Sequence, residues 1–309
     1  MRENQQIYRR HEGRVRQRRV AGVHSVGKVA GKNNWDKIGA VLDLLEQAKK
    51  EGITVSFDQY PYVAGSTMMG AILPPWVHDG GTDNVIIRLK DEKLRKKMRH
   101  DMENGIAGWD NFIDFAGFDN IYTTSVKTEK NADAVGLSLT EFAQKRGKDV
   151  YTSTFDLLME EENAVGMVDF YGTEEHVKLF MQRAEMNVCT DGLLCPGKPH
   201  PRLYGSFPRV LGKYARDEKV FSLEAAVAKM TSKAAAVLSL SGRGQLREGN
   251  FADITIFNAD EIIDKGTFTD PIQYPQGLCH VMVNGVLAVQ NGKHTGALAG
   301  KVIKHKGVK

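Results

Sequence analysis

Side chains that can do chemistry gather in the stretch Met186 to Gly212, MNVCTDGLLCPGKPHPRLYGSFPRVLG. It opens on a short run, Met186 to Thr190, in which Val188 and Cys189 suit a buried strand, and passes at once into the turn signal Asp191-Gly192. An aspartate at the carboxyl end of a parallel strand stands where α/β barrels and open α/β sheets place their chemistry. Behind it come His200, Arg202, Tyr204 and Arg209, spaced by Pro196, Pro199, Pro201 and Pro208, which predicts a site loop of stiff, non-repeating backbone. Asp-Gly after a strand is also an ordinary turn, so its meaning depends on the rest of the chain. Cys189, Cys195 and His200 are metal-ligand types, but their spacing fits no standard zinc motif, and buried thiols are the simpler reading.

The elements that must position this stretch belong to a chain of 309 residues with an ordinary 41% hydrophobic share, enough for one large domain or two. No apolar run approaches the ~20 residues needed to cross a bilayer, and MRENQQIYRRHEGRVRQRR lacks the apolar core of a secretory signal, so a cytoplasmic protein with no membrane partner is expected. Three cysteines, an odd number, argue against a disulfide framework. Much of the formal net charge of +4 comes from Arg2, Arg9, Arg10, Arg14, Arg16, Arg18 and Arg19. A basic arm can bind nucleic acid, but this one carries a single aromatic residue, Tyr8, and no zinc or RNA-binding signature accompanies it. A solvated, poorly ordered arm over residues 1–19, without a nucleic-acid partner, is expected. Glu3 and Glu12 count against a transit peptide.

From Val20 onward the pattern is that of an α/β protein. VAGVHSV reads as a strand, and in NNWDKIGAVLDLLEQAKKEG the residues Trp35, Ile38, Val41, Leu42, Leu45 and Ala48 recur at helical spacing, with Asn33 or Asn34 as cap and Gly52 as stop. The β-branched run ITVSFDQYPY completes a βαβ unit, so the sheet is parallel and its active face lies at Asp58, Tyr60 and Tyr62. Residues 63–135 break this rhythm, with one helix expected from about Asn84 to Asn104, and read as a lid-like insertion. The βα rhythm returns with LTEFAQKRG, TSTFDLLMEEEN, the strand AVGMVDF (164–170) and EEHVKLFMQRAE; a helix over 222–240, capped by Ser222, closes the series. Past Gly242 the chain turns to β patterning, and Asn284-Gly285 between two apolar runs is a strong hairpin signal.

Taken in order, these features resemble the N-acyl-D-amino-acid deacylases, or D-aminoacylases, of the metal-dependent amidohydrolase superfamily. The resemblance runs from about Val20 onward and rests on KVAGKNNW, DQYPYVAGST, TDGLLCPGKPHPRLYGSFPRVLG, GRGQLREGNFADITIFN and VMVNGV. It implies an incomplete TIM-like (β/α) barrel over residues 20–240 and a small β-sandwich portion over 241–309. It also implies zinc as cofactor and hydrolysis of the acyl amide of a small-molecule N-acyl-D-amino acid to a carboxylate and a D-amino acid.

By the same resemblance Asp191 is a metal ligand and the general base toward the attacking water, while Lys28, Tyr60, Ser66 and Arg202 hold the substrate carboxylate and the reacting amide. His11, in IYRRH, corresponds to a metal-binding histidine. The family's second such histidine falls at Val26; His24 is the nearest substitute, displaced by roughly 6–7 Å along a strand, and only a two-residue slip would bring it in. The resemblance covers the carboxyl-terminal part of a family member, without counterparts of the family's His-x-His pair and bridging cysteine. Weak metal affinity, impaired turnover and poor solubility of this chain alone are therefore expected. A cyclic amidohydrolase of the dihydroorotase or hydantoinase kind, or a non-catalytic remnant, are the alternatives. The accepted side chain and the oligomeric state are not set by the sequence.

Overall fold

The computed structural model describes residues 27–304. The expected strand over VAGVHSV, together with His11 and His24, lies outside them. The helix Ile38–Lys50 follows a 3-10 turn over Lys32–Lys37 and leads into strand β1 (Phe57–Gln59). The expected asparagine cap is absent: Gly31 precedes the turn, and the Asn34 amide donates backward to the Ala30 carbonyl at 2.8 Å. Strand β5 (Met186–Val188) pairs with β1 in parallel, Phe57 opposite Met186 and Gln59 opposite Val188. Cys189 N–H donates to the Gln59 carbonyl at 3.0 Å, and on the other edge Gly27 N–H reaches the Asp58 carbonyl at 2.7 Å. The strand that delivers Asp191 thus has the parallel pairing its sequence predicts. Phe57, Phe180, Met181, Met186, Val188, Val210 and Tyr214 form the core beneath it, with Ile38, Val41, Leu42 and Leu45 laid on from the helix.

The segment between these strands departs from a simple βα alternation. Strands β2 (Ala64–Met68), β3 (Ile121–Ser125) and β4 (Gly166–Phe170) form an antiparallel sheet in the order β2-β4-β3. The run AVGMVDF, expected to continue the parallel series, is therefore the central strand of a different sheet. A short run buried on both faces fits either environment, and periodicity does not separate them. The helices Leu139–Arg146 and Val150–Glu160 pack here too, because Leu139, Phe142, Phe155 and Leu158 share one core with Met69, Leu73, Val77, Leu89, Met98, Met102 and Met167. That core continues well past residue 135, where the insertion was expected to end. The single helix expected near 84–104 is two, Thr82–Lys90 and Glu92–Asn104. Asp91 is extended between them, and its carboxylate accepts the N–H groups of Lys93 and Leu94, starting the second helix afresh.

The helix expected over 222–240 likewise divides at Thr231 (φ −129°, ψ −89°) into Leu223–Met230, with Ser222 as its cap, and Ser232–Val237. Beyond it, β6 (Ile254–Phe257), β7 (Leu278–Val283), β8 (Val286–Gln290) and β9 (Lys293–His294) form an antiparallel sheet in chain order. Asn284 (φ 49°) and Gly285 (φ 83°) make the turn between β7 and β8, the left-handed pair that a tight hairpin needs. No helix among the described residues is long and apolar enough to cross a membrane.

Candidate active site

Beyond β5 the chain turns sharply. Asp191 has φ 47°, a left-handed value that aspartate tolerates better than most residues, and Gly192 N–H bonds the Thr190 hydroxyl at 3.3 Å. This leaves the Asp191 side chain 49% exposed, with Oδ2 at 3.1 Å from Nη1 of an Arg202 side chain that is only 3% exposed. Arg202 opens a helix, Arg202–Arg209, that continues as a π-helix over Val210–Asp217. The expected loop holds over residues 189–200, which form no helix or strand, whereas from Arg202 onward the backbone is helical. Pro201 takes helical φ/ψ at the start, where a missing N–H costs nothing, and its carbonyl accepts from Gly205 at 2.9 Å. Pro208 lies inside the helix, immediately before the widened turns.

Three neighbours fix the Arg202 side chain. Besides the contact with Asp191, its Nη2 donates to the backbone carbonyl of Ser66 at 3.1 Å and its guanidinium lies 4.7 Å from the Tyr60 ring centre, while the Arg202 backbone N–H donates to His200 Nδ1 at 2.9 Å. His200 is therefore neutral, with its proton on Nε2, which donates to the Ala64 carbonyl at 3.0 Å. Burial, and then the charge of Arg202, push its pKa down to about 3. Both ring nitrogens are occupied, so His200 is a strut that ties Arg202 to β2. Tyr60, Tyr62 and Phe268 enclose the ring edge-on.

Lys28 approaches from the opposite side. Its Nζ donates to Tyr171 Oη at 3.1 Å and sits 4.9 Å from that ring's centre, while Tyr60 Oη and Tyr171 Oη are 2.5 Å apart. The KVAGKNNW segment is held there because Gly31 N–H and Trp35 Nε1 both donate to the Tyr171 carbonyl, at 3.1 and 2.9 Å. Burial raises the Tyr171 phenol well above its ordinary range. Lys28, Tyr60, Arg202 and Asp191 are thus brought together, and Ser66 joins them through its backbone carbonyl. Two residues that sequence reasoning passed over complete the cluster, Tyr171 and Asp169. Their signal was the pair of polar residues, two apart, closing AVGMVDFYG. Asp169 is 1% exposed, and burial raises its carboxyl to about 6 against the opposing pull of Lys28 and Arg202.

The described residues contain no group of three or more His, Cys, Asp or Glu side chains placed to hold a metal ion. One oxygen of Asp191 faces Arg202. Cys189 and Cys195 are free, half-buried thiols; burial, then the nearby charges of Asp58 and Asp191, push the Cys189 thiol up to about 12.

With this geometry in view, the likeness to known proteins is specific. Residues 177–289 match the model of the Amidohydrolase family. The chain is 35% identical over 284 residues to the D-aminoacylase of Alcaligenes xylosoxydans xylosoxydans, an alignment covering 92% of this chain and 49% of the relative. A solved D-aminoacylase, studied for the functional role of its binuclear metal centre, superposes with a TM-score of 0.69 at 31% identity, over 92% of this chain and 49% of that one. The N-acyl-D-glutamate deacylase of Bordetella bronchiseptica, complexed with zinc and a phosphonate mimic of the tetrahedral intermediate, superposes at 0.66 with 28% identity, over 90% of this chain and 49% of that one. The chain spans about half the length of the curated relatives it matches. Its residues 177–289 carry the amidohydrolase-family likeness, and the part it shares with the D-aminoacylases is the one that carries this arginine, lysine and aspartate.

Proposed function

We propose that the chain carries the substrate-gripping part of a zinc-dependent N-acyl-D-amino-acid deacylase, which releases a carboxylate and a free D-amino acid in the cytoplasm, with no nucleic-acid or membrane partner. On this reading β1 and β5 are two parallel strands of a partial (β/α) barrel over residues 20–240, residues 241–309 are a small β portion, and residues 1–19 are a basic arm. The observation that carries the function is the placement of Arg202, which reaches Asp191, the Ser66 carbonyl and the Tyr60 ring from one buried position.

Each group has a task that follows from its chemistry. Arg202 and Lys28 are cations of different kinds, a planar fork and a point charge, and both suit a substrate carboxylate. Tyr60, tied to Tyr171, and Ser66 line the reacting amide. Asp191 is half-exposed at a strand's carboxyl end, within reach of solvent, and it takes the proton of the water that attacks the amide carbon. As the C–N bond breaks, that proton passes to the departing nitrogen. Zinc belongs to this reading through the relatives, but a catalytic zinc takes three protein ligands. The described residues supply Asp191 alone, and His11 lies outside them.

Release of amine from N-acetyl-D-amino acids, from their L-forms and from a cyclic imide, with zinc added, tests the proposal. D-selective release abolished by Asp191→Asn is expected. Selective opening of the imide would favour a cyclic amidohydrolase, and zinc-free, inactive protein would leave a binding remnant.

A further inference from the structure

We propose that Asp169 is a substrate-binding residue: its free carboxylate oxygen receives the amide N–H of an N-acyl amino acid whose carboxylate is held by Arg202 and Lys28. This rests on the reading of the site given above and adds to it a group that recognises the amide.

Asp169 lies on the central strand β4, opposite Gly65 on one neighbour and Ile121 on the other. Its side chain is buried, yet Oδ2 has no hydrogen-bond partner among the described residues. Buried polar atoms are nearly always bonded, because leaving a desolvated acceptor unpaired is costly. Arg202, equally buried, has an Nε without a partner. The cluster therefore holds one orphan acceptor and one orphan donor. Among the charged groups near it, Lys28 and Arg202 both act on the Asp169 carboxyl.

Gly65 lets β2 pack directly against this carboxylate and the Tyr171 ring. A Cβ placed there would stand 2.6 Å from Tyr171 Cε1 and 3.0 Å from both Asp169 Oδ1 and Tyr171 Oη, so any side chain would crowd the pair. A ligand that satisfies both orphans must bring both an acceptor and a donor. An N-acyl α-amino acid does so, since its carboxylate and its amide N–H are borne on the same carbon. A plain carboxylate would satisfy Arg202 and leave Asp169 unpaired.

The test is titration calorimetry of the full chain with N-acetyl-D-leucine and with the corresponding acetyl ester of the D-2-hydroxy acid, which keeps the carboxylate and shape but lacks the N–H. Wild type is expected to bind the amide at least about tenfold more tightly than the ester, the scale of a hydrogen bond to a charged group. Asp169→Leu is expected to bring the two ligands within about twofold, by weakening the amide alone, whereas Arg202→Met weakens both alike. Should the leucine variant not fold, Asp169→Asn takes its place, with a loss of at least about threefold in amide preference expected. Equal affinity of wild type for amide and ester, with Arg202 still required, overturns this proposal alone. So does an amide preference that survives at Asp169. Binding of neither ligand overturns it together with the reading of the site.

Discussion

Arg202 Nη1 and Asp191 Oδ2 meet at 3.1 Å, joining a buried guanidinium to a half-exposed carboxylate. The asymmetry matters. If the pair is broken from the arginine side, Asp191 can be solvated, whereas the Ser66 carbonyl loses its charged donor. Arg202→Met, which keeps much of the stem over Tyr60, is therefore expected to cost about 1–3 kcal/mol in chemical denaturation. Its larger effect should fall on ligand affinity, with N-acetyl-D-amino acids binding roughly 10- to 100-fold more weakly by calorimetry, the worth of a hydrogen bond to a charged group. Unchanged affinity would remove Arg202 from the carboxylate grip.

Asp169 has the opposite kind of energetics, because its burial favours the protonated form. With its folded pKa near 6 and an ordinary value of 3.8, the folded state holds the proton more tightly than the unfolded chain between those limits. Stability is expected to fall as pH rises from about 4 to about 6, by up to about 3 kcal/mol, and to carry that full penalty above pH 6. Asp169→Asn should consequently be more stable than wild type at pH 8 and nearly equal to it at pH 4. A variant destabilised equally at both pH values would show that the carboxylate is satisfied in a way the geometry does not reveal.

How much of this was legible in the sequence differs from feature to feature. The Asn284-Gly285 turn and the Ser222 cap are local effects, set by left-handed backbone and by a hydroxyl meeting an orphan N–H, so neighbouring residues suffice to read them. The gathering of Lys28, Tyr60, Arg202 and Asp191 was reached through the family likeness, since nothing local links Lys28 to residues as far along the chain as Asp191 and Arg202. What was misread depends on context. Four prolines suggest a loop, and Pro196 and Pro199 lie in one, but Pro201 initiates a helix and Pro208 is accommodated where the helix widens. AVGMVDF reads as a buried strand without revealing its sheet, and placing it in the parallel series hid the two residues it delivers, Asp169 and Tyr171.

His200 should oppose Asp169 in the pH dependence. Its imidazole is held neutral by two backbone partners and by burial, with a folded pKa near 3 against an ordinary 6.5. The unfolded chain binds the extra proton in that interval, so stability is lost as pH falls below about 6.5, by about 4–5 kcal/mol at the acid limit. In wild type this loss and the gain from Asp169 partly cancel between pH 6 and 4. The cancellation disappears in Asp169→Asn, whose denaturation midpoint should drop steeply over that range. In the double variant with His200→Asn, which keeps an acceptor in place of Nδ1, the slope should flatten. A steep drop that persists there would assign the acid sensitivity elsewhere.

Zinc retention is the sharpest test of the metal side of the proposed function. A zinc site that survives dialysis takes three or four protein ligands, and the described residues contribute one candidate, Asp191, already engaged with Arg202. His200 cannot be recruited without giving up its two bonds, one to the Ala64 carbonyl and one from the Arg202 backbone N–H. The full chain, dialysed after zinc loading, is expected to keep well under one equivalent by elemental analysis. Retention of a full equivalent, lost on substituting His11 or His24 together with Asp191, would show that residues outside the described part complete the centre. The deacylase reading would then extend to this chain as a working enzyme.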